Sequence, residues 1–99
     1  MGKNRADIRA NFILINAENG QSIKVNSLIK MQQMESMVSK KIAVSIALNV
    51  DSKALVEQSE HSVPKLLDKV STVGFKYKDR ITGGSLLISD DTTEEMIIG

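Results

Sequence analysis

Two short apolar runs, Asn11-Phe12-Ile13-Leu14-Ile15-Asn16 and Gln21-Ser22-Ile23-Lys24-Val25, flank Ala17-Glu18-Asn19-Gly20. Asn-Gly between apolar segments is the strongest short-range hairpin signal, because both residues accept the positive φ that a tight turn between twisted strands needs. A β-hairpin near the start of the chain is therefore expected. Residues 1–7 precede it as a polar, basic arm without periodicity.

Beyond the hairpin, Asn26 or Ser27 can cap a helix. Leu28, Met31, Met34 and Val38 recur at helical spacing, which predicts an amphipathic helix over 27–40 with Lys40-Lys41 at its carboxyl end. Ile42, Val44, Ile46 and Leu48 then alternate with Ala and Ser, as in a strand buried on both faces. Asp51-Ser52 offers a cap for a short helix over 53–60, with Ala54-Leu55-Val56 readable as a strand instead. Ser62-Val63-Pro64 starts a further helix that presents Leu66, Leu67 and Val70 and ends near Gly74. Phe75-Lys76-Tyr77-Lys78 alternates aromatic and basic, and a Thr82-Gly83-Gly84 turn before Ser85–Ser89 suggests a second hairpin. The order ββαβα(α)ββ predicts a single α+β domain over 8–89, a mixed or antiparallel sheet packed on one or two helices. An acidic and then apolar tail follows over 90–99.

Several chemistries lack their parts. The chain has 99 residues, no cysteine and one histidine, so disulfides, thiolate metal sites and a cysteine nucleophile are excluded, and no cofactor or metal is expected. His61 lies among Glu57, Ser59, Glu60 and Ser62, but neighbours in sequence rarely converge as a triad does, so it reads as a surface or capping histidine. Asp90-Asp91 lacks calcium-loop spacing. Gly83-Gly84 after Arg80 precedes a strand-like run rather than a helix, unlike a phosphate loop. Met31, Met34 and Met37 read as core rather than a binding stripe. No enzyme is expected. No apolar run approaches the roughly 20 residues of a membrane span, so the expectation is a chain of the cytoplasm or an organelle matrix with no membrane partner.

Charge is the more informative signal. Residues 1–80 hold all 13 Lys and Arg against eight acids, a formal +5, whereas residues 81–99 hold only Asp90, Asp91, Glu94 and Glu95, a formal −4. A basic body suits a nucleic-acid backbone, and the candidate contacts are Arg5, Arg9, Lys40, Lys41, Lys76, Lys78 and Arg80. The acidic tail can fold back on that body as an internal competitor.

The order of residues also resembles the amino-terminal domain of bacterial translation initiation factor three, over about residues 4–80. It does so through Asn4, Ile8-Arg9-Ala10, Leu14-Ile15, Asn19-Gly20, Ile23, Val25 and a Ser27-started helix. Val63-Pro64-Lys65-Leu66-Leu67-Asp68 and Gly74-Phe75-Lys76-Tyr77-Lys78 extend it. The resemblance implies an α+β ribosome-binding module whose Arg9, Lys76, Lys78 and Arg80 meet ribosomal RNA of the small subunit; 99 residues span at most one of that family's two domains. The alternative is a structural protein that self-assembles, or docks on a larger assembly, through Met96, Ile97 and Ile98.

Overall fold

A computed structural model of the chain describes residues 8–30, 35–56, 63–90 and 94–98. The first hairpin is present: β1 (Ile8–Asn16) and β2 (Ser22–Ile29) run antiparallel with Phe12 opposite Val25, and Gly20 takes φ 77° in the turn. The elements that follow are β3 (Met37–Ser39), α1 (Lys40–Ser45), β4 (Ser52–Val56), β5 (Lys65–Tyr77), β6 (Arg80–Ser89) and β7 (Met96–Ile98). The strand order is β1-β2-β7-β3-β6-β5-β4, and the second half of β5 pairs back onto β1, Asn16 opposite Val73 and Ile13 opposite Lys76. That return pairing closes six strands into a barrel and leaves β4 outside the ring, on the first half of β5.

The fold is thus a small, closed β-barrel and not the expected α+β sheet packed on helices. Four segments account for the difference. Residues 27–29 belong to β2 and 37–39 to β3, where a helix over 27–40 was expected; Met31 and Met34, which carried the helical spacing, lie outside the described residues. β2 has ladder partners on both flanks, β1 and β7, and such pairing overrides a weak helix preference.

The expected strand Ile42–Val50 instead begins as part of α1. Ile42, Ala43 and Ile46 fall on one helical face and are buried, while Val44 is 67% exposed. Small Ala and Ser between the large residues made the run readable at either period. Ser39 caps this helix, its hydroxyl accepting from Ile42 N at 3.3 Å, so Lys40 and Lys41 sit in the first turn rather than the last.

Segments 53–60 and 62–73 are not helices where described: residues 52–56 form β4 and residues 65–77 form β5. β5 carries a one-residue register shift between Val70 and Val73, so Val70 faces the interior before it and Val73, Phe75 and Tyr77 after it. Buried Val70 and Val73 therefore fall three residues apart, and Leu67, buried on the opposite face, extends the spacing into an imitation of a helical stripe. β5 and β6 do form a hairpin, but its tip is Lys78-Asp79. Gly83 and Gly84 lie within β6, and a Cβ on Gly84 would stand 3.0 Å from the Phe75 ring. Missing that side chain is what lets Phe75 lie flat against the wall.

Leu14, Val25, Val38, Val70, Val73, Leu86, Ile88 and Met96 fill the barrel. One end is plugged by Ile42, Ala43 and Ile46 of α1. Asn16, 2% exposed, fastens the plug: its Nδ2 donates to the carbonyls of Ile46 (2.8 Å) and Ala47 (3.0 Å), and its Oδ1 accepts from Glu18 N. Met96–Ile98, expected in a terminal tail, are a strand of the wall, with Met96 fully buried between Ser27 and Val38. Among the described residues no helix is long and apolar enough to cross a membrane.

Candidate nucleic-acid interface at the open barrel mouth

β1 runs away from the opposite end of the barrel toward the plug, and β5 runs back, so the β5–β6 tip and the start of β1 share one mouth. Strand alternation sends Phe75 and Tyr77 inward and Lys76 outward. In register, Leu14 faces Phe75 and Ile13 faces Lys76, one pair short of Phe12 meeting Tyr77, and the Phe12 and Tyr77 rings stand 4.9 Å apart at 32°. All three aromatic residues of the chain therefore gather here. Together with Ser36, Thr82, Ile98 and Arg80 they line a cavity of about 320 Å³. Its floor is apolar, Arg80 lies on its rim with Lys78 over the Tyr77 ring, and α1 blocks the far end.

The rim is held in a costly shape. Lys78 adopts φ 57° at the hairpin tip, a left-handed conformation that Gly or Asn takes more cheaply, and its Nζ lies 5.5 Å from the Tyr77 ring centroid. Among the described residues Arg9, Lys53, Lys65 and Lys69 form salt bridges to Glu94, Asp68, Asp90 and Glu35, whereas Lys76, Lys78 and Arg80, like Lys24, Lys30, Lys40 and Lys41, form none. Lys78 and Arg80 beside three aromatic rings, with Lys76 on the outer face of β5, suit an anion that also carries a flat ring.

The structure divides the expected contacts. Lys78 and Arg80 come together at the mouth, and Lys76 stands next to them on the outer face of β5. Lys40 and Lys41 stand at the plugged end, on α1, with no aromatic residue beside them. Arg5 lies outside the described residues, as do His61 and Asp91. Arg9 is on the outer face of β1, where its guanidinium meets both carboxylate oxygens of Glu94 at 2.7 and 3.0 Å. On the same face Ile13 lies between Lys24 of β2 and Lys76 of β5, and Asn11 is paired with Asn26, so a polar track runs from the hairpin toward Arg9. Met96, Ile97 and Ile98 serve the wall; of these only Ile98 reaches the cavity.

Reasoning from sequence missed the aromatic cluster. Its signal was the aromatic-basic alternation of Phe75-Lys76-Tyr77-Lys78, which on a strand separates rings and cations onto opposite faces. What brings Phe12 to them is a pairing across some 60 residues that no local pattern announces. Among the described residues no group of acidic or histidine side chains could hold a metal ion. Two carboxyls are held below their ordinary values: Asp51 by hydrogen bonds from the Ser71 backbone N–H and hydroxyl, and Glu94 by hydrogen bonds from Arg9. Both brace the wall away from the cavity. The chain matches no protein-family model and no curated protein.

Proposed function

We propose that this chain is a non-enzymatic binding module for single-stranded RNA. It accepts an unstacked base in the aromatic mouth and meets the adjoining phosphates with Lys76, Lys78 and Arg80. The observation that carries this reading is the convergence of Phe12, Phe75 and Tyr77 beside Lys78 and Arg80, with Lys76 on the adjoining outer face, none of the three in a salt bridge to a described residue. An aromatic face takes any base, and stacking contributes about 1–3 kcal/mol per base, so affinity without strong sequence preference follows. A duplex keeps its bases stacked and cannot fill the cavity. The ribosomal RNA of the small subunit, in the cytoplasm or an organelle matrix, is the target that the resemblance to the initiation-factor domain suggests, although the barrel differs from the α+β fold that resemblance implied.

The test is a fluorescence-anisotropy titration of a labelled single-stranded oligoribonucleotide and of the corresponding duplex over a range of salt. The reading expects the single strand to bind more tightly, with log K falling linearly in log salt by about 0.7 per phosphate engaged. Equal affinity for the duplex would reduce the mouth to a bystander, and absence of salt-dependent binding would discard the reading.

A further inference from the structure

Glu94, two residues before β7, is tied to the basic body. Glu94 presents both carboxylate oxygens to Nη1 and Nη2 of Arg9, the geometry in which a guanidinium also receives two phosphate oxygens. Arg9 Nη1 donates in addition to Asn26 Oδ1 at 3.2 Å, which fixes the guanidinium plane along the polar track that leads from Lys76. The pair is partly open to solvent, with side-chain exposures of 40% for Arg9 and 25% for Glu94, so an incoming anion can reach it.

We infer that Glu94 is an internal competitor for RNA, occupying at Arg9 the place of a phosphate group that arrives when a strand leaves the mouth along the outer face of β1. This rests on the RNA reading above and adds its regulation. The contact is separable from the strand it precedes. Asn26 N donates to Glu95 Oε1 at 2.7 Å, Ser39 N to the Glu95 carbonyl at 3.0 Å and Lys30 N to the Ile98 carbonyl at 2.8 Å, and Met96 is fully buried. β7 therefore keeps its register when Glu94 loses its charge. A solvent-exposed ion pair is weak enough to be exchanged for a phosphate, and strong enough to depress affinity.

The experiment is a double-mutant cycle on the full chain, with Glu94→Gln, Arg9→Gln and the double variant titrated against the single-stranded oligoribonucleotide, after circular dichroism has shown each to be folded. The inference expects Glu94→Gln to tighten binding by about two- to fivefold, the range an exposed ion pair spans, and to steepen the salt dependence by about 0.7, one phosphate more. In the double variant that gain should vanish. Glu94→Gln binding where the unaltered chain does not would be the strongest support. If the unaltered chain binds and Glu94→Gln leaves affinity unchanged or weakens it, Glu94 is only a wall fastener and the inference falls while the RNA reading stands. If neither binds, both fall. Should Glu94→Gln fail to fold, the Glu94 carboxyl carbon resonance in the unaltered chain replaces it: a saturating shift on RNA addition supports displacement, and no shift overturns it.

Discussion

The two ends of this barrel are built from the same alternating strands and end in opposite ways. At the plugged end a buried polar group is fully used: Asn16 spends both its amide hydrogens and its carbonyl oxygen on backbone partners, and three apolar side chains of α1 shut the lumen. Toward the mouth, the fully buried Ser27 hydroxyl has no hydrogen-bond partner among the described residues, Lys78 holds a left-handed backbone, and aromatic surface lines a cavity. Ala47 beside the plug holds a left-handed backbone as well, at φ 54°, so what sets the mouth apart is the unsatisfied hydroxyl and the aromatic surface left open. Departures from optimal packing that cluster around a cavity are the usual mark of a surface shaped for binding.

The sharpest way to break that contrast is to exchange the consequences. Asn16→Ala strands the Ala47 carbonyl and leaves that of Ile46 only the longer bond from Asn19 Nδ2, so it should lower unfolding free energy by about 2–3 kcal/mol in urea denaturation while the folded protein binds RNA unchanged. Tyr77→Ala should do the reverse, weakening RNA binding by about 1–3 kcal/mol and removing only about 1 kcal/mol of stability from the lost ring pair with Phe12. If Tyr77→Ala proves as destabilising as Asn16→Ala and leaves affinity intact, the mouth is ordinary core.

Smaller effects sharpen the same division. Ser27→Ala removes an unsatisfied buried hydroxyl and should raise stability by about 1 kcal/mol, read from the denaturation midpoint. Lys78→Asn relieves the left-handed strain and should gain about 0.5 kcal/mol while the salt slope of RNA binding shrinks by about 0.7. A variant that is more stable and binds less well is what a strained binding residue predicts.

The smallest effect is in pH. Asp51 and Glu94 have folded-state pKa values below their unfolded ones, so their contribution is fully present above the ordinary carboxylate range and is lost as pH falls through the folded values. Denaturation midpoints should therefore decline on acidification below that range. The decline should flatten in Asp51→Asn and Glu94→Gln, and only modestly, because both groups are exposed to solvent.

The first hairpin was legible because Asn19-Gly20 is a local instruction. The barrel was not, because closure depends on β1 meeting the second half of β5, and that pairing leaves no mark within either segment. The extra residue between Val70 and Val73 made matters worse by converting strand alternation into a spacing of three. The Ile42–Val50 run failed for the opposite reason: its alternation is real, yet Ile42, Ala43 and Ile46 also share one side of a helix, and the open end of the lumen selects the helix. Of the candidate site, the cations of Phe75–Arg80 were visible by composition. Their separation from Lys40 and Lys41, and their union with Phe12, were decided by topology.

The central claim is that a base enters the mouth, and Tyr77 can report on it alone, since the chain has one tyrosine and no tryptophan. Titrating the protein with a single-stranded oligoribonucleotide while recording tyrosine emission should show saturable quenching that high salt reverses and that the duplex does not produce. Emission unchanged at RNA concentrations where binding is complete would contradict the account, because the strand would then bind without occupying the cavity.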